Sequence, residues 1–164
     1  MNNRGFGWKR DLPDRRDYTM ATAAVKPLLN KFRTPMKDKV DLREKFPPVE
    51  DQGNIGSCTA NAAAALVEYF ELASYGKFLD VSRLFLYYGA RYLGGYFPGD
   101  HGAEIRNVIG ALAVFGGPPE KFWPYDEALV DSVPSTPCFA FGQSFQALKY
   151  YRLDPPGITG PKLL

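Results

Sequence analysis

The chain has 164 residues and a net charge of +2, from 20 Lys plus Arg against 18 Asp plus Glu. Basic residues are interleaved with acidic ones, which argues against nucleic-acid binding, and no apolar run approaches the ~20 residues that cross a bilayer. Two cysteines and one histidine are too few for a disulfide framework or a Cys/His zinc site, so neither a metal nor another cofactor is expected.

Residues 1–36 form the first predicted segment. Charged clusters alternate there with aromatic residues, and no helical or strand period persists, so we interpret the segment as an N-terminal arm. Its polar start lacks the apolar centre of a signal peptide, and a cytoplasmic location is the default expectation. The next segment carries Pro47, Pro48, Gly53 and Gly56, which predict extended or turning chain laid over a surface.

A long helix is predicted to begin at Cys58 and to end at Gly76. Its apolar residues recur at three- and four-residue intervals. These residues are Ala62, Leu66, Tyr69, Phe70 and Ala73. Ser57 can cap the helix, so Cys58 falls in the first turn, where unpaired backbone N–H groups and the positive end of the helix dipole favour a thiolate.

Further elements follow in the sequence. A second helix is predicted to begin after Ser82, and a third to run from about Ala103 to Phe115. The predicted apolar face of the third helix consists of Ile105, Val108, Ile109 and Leu112. We interpret the segment from Trp123 to Tyr125 as a packing corner. A short helix that runs into a strand is predicted over residues 140–153.

The motif that could support catalysis is the run from Gln52 to Cys58. It puts a side-chain amide six residues ahead of a thiol, across Gly53 and Gly56, which let the backbone fold tightly. Such a loop can aim the amide at the place where the thiol would attack. A cysteine on its own is more often a small, inert, buried hydrophobe, and we interpret Cys138 in this way.

This loop and helix start resemble the papain-like cysteine peptidases (peptidase C1), whose nucleophile follows a Gln-Gly segment and opens the long central helix of the first lobe. The resemblance implies that Cys58 is the nucleophile, and that the Gln52 side chain and the Cys58 backbone N–H donate to the developing oxyanion. It also implies an α+β fold, namely the left, helical lobe of the family with few strands, and a second, β-barrel lobe that is largely missing. The residues that would line the substrate groove are Gly56, His101, Gly102 and Ala103.

The resemblance covers about residues 37–154 and indicates a microbial member. Beyond the loop it rests on VDLRE, SRLFLYY, GDHGAEIR, WPYD and ALKYYRL. Ile55 stands where many members have a disulfide cysteine, and Thr59 stands where an aromatic residue usually follows the nucleophile, which indicates a disulfide-free branch. The predicted organisation is a propeptide-like arm (residues 1–36), the lobe, and a truncated tail (residues 155–164). In this family such arms can lie over the groove and block it.

The catalytic base is the part of the resemblance that the chain does not supply. The family's histidine and asparagine should lie about 130 to 150 residues beyond Cys58, past Leu164. We therefore expect this chain by itself to be inactive in peptide hydrolysis. His101 is the one histidine, but the resemblance puts it along the groove of the same lobe and not opposite the thiol.

Two functions follow from this reading. The first is thiol-dependent peptide-bond hydrolysis, in which a parent protein or a complementing chain supplies the missing C-terminal lobe. The second is a non-catalytic, truncated or degenerate lobe that binds peptides or a partner through its groove. The expected partners are a peptide or protein substrate and the missing lobe, with no nucleic acid and no membrane. Because the face left by the second lobe should expose an apolar patch, self-association is also expected.

Overall fold

The computed structural model describes residues 6–30 and 38–152. The predicted tail, residues 155–164, lies outside the described residues, and so do residues 1–5 and 31–36 of the predicted arm. Of the described residues, the larger compact unit contains residues 6–11 and Leu42–Leu148, and the smaller one contains residues 12–30, 38–41 and 149–152.

Helices dominate the described residues. In chain order the elements are β1 (Trp8–Lys9), α1 (Lys26–Asn30), a 3₁₀-helix (Arg43–Lys45), α2 (Cys58–Tyr75), α3 (Arg83–Gly94), β2 (Ala103–Glu104), α4 (Ile105–Val114), two 3₁₀-helices (Glu120–Phe122 and Glu127–Leu129), α5 (Thr136–Gly142) and a last 3₁₀-helix (Gln143–Phe145). All except α1 belong to the larger unit. The predicted α+β helical lobe with few strands is confirmed. No helix among the described residues is long and apolar enough to span a membrane.

The long predicted helix is α2, which begins at Cys58 and is followed by Gly76, whose N–H donates to Leu72 O at 3.0 Å. Its buried residues are Thr59, Ala60, Ala63, Ala64 and Glu68. A separate stripe along α2 is exposed and includes its large apolar residues; this stripe consists of Ala62, Leu66, Phe70 and Ala73. The spacing therefore predicted the helix, but alanines form its packed face.

The second predicted helix is α3, the most deeply buried element of the larger unit. Ser82 caps it by accepting a hydrogen bond from the Phe85 N–H at 3.2 Å, and all residues from Arg83 to Arg91 are buried. A helix that is enclosed on every side must belong to the core, and α3 packs against both α2 and α4. Leu84, Phe85, Leu86 and Tyr87 contribute to this core.

The third predicted helix is shorter than expected. It is α4, because Ala103 and Glu104 instead form β2, which pairs in parallel with Trp8 and Lys9 of β1. Val108 and Leu112 are buried as predicted, whereas Ile105 is 51% exposed at the helix start.

The strand predicted within residues 140–153 was wrong over the part that the structure describes. The chain there continues from α5 into the 3₁₀-helix Gln143–Phe145. Arg152 forms only an isolated parallel bridge to Thr19 within the smaller unit, where its N–H donates to Tyr18 O at 2.7 Å.

Candidate active site

Cys58 is the first residue of α2, and its thiol is free and partly buried. Cys58 is partly exposed, although its neighbours Ser57 and Thr59 are both buried. Cys138, in contrast, is fully buried, and its thiol donates to Phe122 O at 3.3 Å. The structure thus distinguishes a reachable thiol from a packed one, as the sequence predicted for Cys138.

The Gln52 amide is held by a hydrogen bond within the loop that precedes Cys58. Gly53 has a left-handed backbone (φ 65°), which turns the chain back on itself. The Gln52 Nε2 then donates to Ile55 O at 3.0 Å, and this same carbonyl accepts from the Ser57 N–H at 2.9 Å. The predicted pair of amide and thiol is therefore joined by a compact, hydrogen-bonded loop.

The predicted cap of α2 differs from the observed one. Ser57 precedes the helix, but its side chain makes no capping hydrogen bond to α2. Its hydroxyl instead lies 2.5 Å from the Tyr125 hydroxyl and accepts from Asn61 Nδ2 at 3.0 Å. The missing cap consequently leaves backbone N–H groups in the first turn without this side-chain acceptor, which is the arrangement that can bind a negative charge.

Two carboxylates from later in the chain hold the same loop. Asp100 accepts from the Gly56 N–H at 2.9 and 3.0 Å, and Glu127 accepts from the Asn54 N–H at 3.0 Å. The buried Tyr87 hydroxyl donates to Asp100. Burial, followed by the hydrogen bond to Asp100, raises the pKa of Tyr87, so the phenol keeps its proton at neutral pH.

The predicted groove residues Gly56, Gly102 and Ala103 lie together and are all buried. The residue that meets them is Gly7 of the predicted arm. Its carbonyl accepts from the Ala103 N–H at 2.9 Å, and a Cβ built on Gly7 would lie 1.9 Å from Gly56 O. A residue without a side chain is therefore required at position 7. Trp8 continues the contact as the first residue of β1.

His101, the remaining predicted groove residue, is exposed. Its imidazole lies over Gly99, since a Cβ built there would be 2.3 Å from His101 Nε2. Within the described residues, no hydrogen bond joins His101 to Cys58. No cluster of three or more His, Cys, Asp or Glu side chains that could hold a metal ion occurs in the described part of the chain.

Tyr87, Asp100 and Tyr125 are residues of the site that the sequence interpretation did not single out. Asp100 lies inside the quoted GDHGAEIR segment, next to His101, and Tyr125 lies inside the predicted packing corner. The signal that could have found them is the presence of hydrogen-bond donors and acceptors in the segments that carry the resemblance.

The comparisons with known proteins agree with this geometry. No family model matches the chain. An uncharacterised peptidase C1-like protein of Acanthamoeba polyphaga mimivirus is 30% identical over 165 residues, covering 93% of this chain and 52% of that protein. The crystal structure of xylellain, a cysteine protease from Xylella fastidiosa, matches with a TM-score of 0.77 and 33% identity, covering 93% of this chain and 60% of xylellain. Digestive procathepsin L 3 of Tenebrio molitor shares the fold at 21% identity, with a TM-score of 0.53 over 76% of this chain and 36% of its own.

The fold and the site together define a class: the helical, cysteine-bearing lobe of papain-like cysteine proteases, with the thiol at the head of the central helix. The chain spans about half the length of the curated relative that it matches. In sequence and in fold it is similar to the papain-like cysteine peptidases, peptidase C1.

Proposed function

We propose that this chain carries the nucleophile of a hydrolase that cleaves peptide bonds through an acyl-cysteine. The Cys58 sulfur would bond to the scissile carbonyl carbon, and Gln52 Nε2 and the Cys58 N–H would donate to the resulting oxyanion. A base takes up the Cys58 thiol proton and, in its protonated form, gives that proton to the leaving amine as the C–N bond breaks. Water finally hydrolyses the thioester and releases the free thiol.

The observation that carries this proposal is the accessible thiol at the start of α2. Cys58 is partly exposed, whereas Ser57 and Thr59 on either side of it are buried. The Gln52 amide is tied to Ile55, three residues before the thiol, by the hydrogen bond from its Nε2. Nucleophile and oxyanion donor thus come from one rigid loop and helix start, as acyl transfer requires.

The proposed catalytic base must come from a C-terminal lobe that is not among these residues. The chain covers 60% of xylellain and 52% of the curated relative, so each of them contains residues that have no counterpart here. We assign the histidine and asparagine to such a C-terminal lobe, in a parent protein or a complementing chain. The exposed stripe on α2, with Leu66 41% and Phe70 57% exposed, supports this idea because it offers an apolar face on the helix that begins with the thiol.

The proposed substrate is an extended peptide that lies along Gly56, His101, Gly102 and Ala103. The support is that this edge already holds extended chain: Trp8 pairs with Ala103 and Lys9 pairs with Glu104. The same contact favours the second candidate function, a non-catalytic lobe that binds peptides or a partner without cleaving them.

The contact of Gly7 with the groove residues also supports a regulatory role for the predicted arm. We propose that this propeptide-like segment limits access to Cys58. Alkylation of the full chain should therefore be slower than alkylation of a version that begins at residue 37. Equal rates would contradict this role.

An ester assay tests the nucleophile without needing the base. The Cys58 sulfur bonds to the acetyl carbon of p-nitrophenyl acetate, and the C–O bond breaks to release p-nitrophenolate, which leaves without being protonated. We expect a burst of about one equivalent that disappears in Cys58→Ala and persists in the matched control Cys138→Ala. A burst that survives Cys58→Ala would refute the assignment.

Peptide hydrolysis and peptide binding separate the two candidate functions. The chain by itself is expected to show negligible peptide turnover, and addition of a second lobe should restore turnover if the chain is part of an enzyme. If the chain is only a binding module, peptide binding measured by calorimetry should be the same in Cys58→Ala and no second lobe should produce cleavage. Turnover by the chain alone that is abolished by His101→Ala would overturn the assignment of the base to another lobe.

A further inference from the structure

A chain of hydrogen bonds connects the core to the loop that carries Gln52. Arg83 Nη1 lies 3.2 Å from Asn61 Oδ1, and Asn61 Nδ2 lies 3.0 Å from Ser57 Oγ. Ser57 Oγ is 2.5 Å from the Tyr125 hydroxyl, which is 2.8 Å from Gln52 O. We call this series the loop relay. It joins the residue before the nucleophile to the backbone of the proposed oxyanion donor.

The direction of donation in the loop relay is fixed by its two ends. A backbone carbonyl can only accept, so the Tyr125 hydroxyl donates its one proton to Gln52 O. The Ser57 hydroxyl must then donate to Tyr125 and is left to accept from the Asn61 amide. Because a guanidinium can only donate, Arg83 donates to Asn61 Oδ1. Every donor and acceptor is therefore used in one consistent direction, an arrangement in which neighbouring hydrogen bonds strengthen one another.

Packing holds the relay in place. Arg83 is 8% exposed, and its guanidinium carbon lies 4.1 Å from the centre of the Tyr125 ring. Its guanidinium also contacts two acidic side chains, Glu50, with Nε 2.7 Å from Oε2, and Glu120, with Nη2 3.7 Å from Oε1. Burial raises the pKa of Tyr125, which keeps the phenol protonated and able to donate to Gln52 O.

We propose that Tyr125 is a positioning residue for acyl transfer: its hydroxyl fixes the Gln52 backbone relative to Ser57, and so sets the Gln52 amide relative to the Cys58 sulfur. This inference rests on the proposed function, because it assigns the relay to the same oxyanion donor. Tyr125 need not touch the substrate. Its effect is carried by the two hydrogen bonds of its hydroxyl, which cross 73 residues of sequence to Gln52 and 68 to Ser57.

The test compares two reactions of Cys58 in the full chain. Acylation by p-nitrophenyl acetate passes through an oxyanion, whereas alkylation by iodoacetamide displaces iodide and forms none. Tyr125→Phe removes the hydroxyl and keeps the ring under Arg83. We expect it to slow acylation about tenfold, with alkylation changed less than about twofold. The matched control is Tyr88→Phe, a buried tyrosine with ring contacts and no hydroxyl hydrogen bond to described residues, which should change neither rate.

Gln52→Ala separates failure of this inference from failure of the proposed function. If Gln52→Ala slows acylation selectively and Tyr125→Phe does not, the positioning role is refuted while the oxyanion donor stands. If Gln52→Ala has no selective effect, the oxyanion assignment fails, and with it the role of Tyr125 in acyl transfer. A fall of both rates together in Tyr125→Phe would also refute the positioning role, because it indicates a general loss of structure.

Ser57→Ala provides a second variant that removes the neighbouring link of the relay. Because both hydroxyls belong to one series, Ser57→Ala combined with Tyr125→Phe should slow acylation no more than Tyr125→Phe alone. Effects that multiply would show that the two hydroxyls act independently and would refute the relay. Amide hydrogen exchange provides a measurement that does not depend on the reaction of Cys58: residues 53–57 should exchange faster in Tyr125→Phe than in Tyr88→Phe. Equal protection in the two variants would refute the idea that the Tyr125 hydroxyl holds this loop in place.

Discussion

Glu120 is the acidic side chain whose ionisation should make the stability of the lobe depend on pH. Its carboxylate accepts from the Tyr125 N–H at 2.6 Å and the Arg83 N–H at 3.2 Å, and its side chain is 15% exposed. Burial outweighs these favourable contacts and raises the pKa of Glu120 from 4.5 to about 7. The folded state therefore binds this proton more tightly than the unfolded state.

The sign and size of the effect follow from this difference. An acid with a raised pKa in the folded state contributes stability below its unfolded value of 4.5, and this contribution is lost as the pH rises through about 7. At about 1.4 kcal/mol for each tenfold change in proton affinity, the interval corresponds to about 3 kcal/mol. The free energy of unfolding should fall by up to this amount between about pH 5 and pH 8. Burial also raises the pKa values of Glu50 and Glu68, which add in the same direction.

Glu120→Gln tests the contribution of this group. Glutamine keeps the shape and one acceptor but carries no titrating proton, so the fall in stability over this pH range should shrink markedly. Urea unfolding at a series of pH values, followed by tryptophan fluorescence, measures it. Glu44→Gln, at an exposed position, is the matched control and should leave the profile unchanged. The reasoning is refuted if wild-type stability rises over this range, or if Glu120→Gln falls as steeply as the wild type.

Three further predictions concern other parts of the chain. Gly7→Ala should displace the arm from the groove, because its Cβ would clash with Gly56 O, and should therefore speed Cys58 alkylation several-fold. The control Gly110→Ala should leave the alkylation rate unchanged, because its Cβ would make only an ordinary contact at 3.5 Å. Arg91→Met should lower the free energy of unfolding by about 3 kcal/mol in urea titrations, because three backbone carbonyls lose their buried donor; a loss below about 1 kcal/mol would argue against it. Phe70→Lys should reduce self-association in sedimentation experiments, and a wild-type monomer at high concentration would count against that expectation.

The parts of the fold that the sequence predicted are those with local signals. Ser82 and Gly76 mark helix boundaries through short-range hydrogen bonds, and both α2 and α3 begin where expected. The thiol at the head of α2 follows from the same local information. The resemblance was equally reliable for the fold, because whole segments around the loop carried it.

The parts that were not predicted depend on contacts far apart in the sequence. Ser57 was expected to cap α2, but a hydroxyl 68 residues later competes for it. Ala103 was expected in a helix, but the distant residue Trp8 pairs with it as a strand. Spacing also could not tell which side of α2 faces the core, since alanine and leucine are both apolar and only packing against α3 chooses between them. The groove residues and the roles of Cys58 and Gln52 stay predictions.

The pairing of Trp8 and Lys9 with Ala103 and Glu104 has a consequence for competition at this edge. Two residues of ladder would scarcely retain a free dipeptide, but a tethered segment is presented at an effective concentration on the order of millimolar. Displacement of the arm is therefore decided by two ratios: the effective concentration of the arm over its own dissociation constant, and the concentration of the peptide over its own. The weaker the two-residue ladder, the lower the peptide concentration that opens this edge.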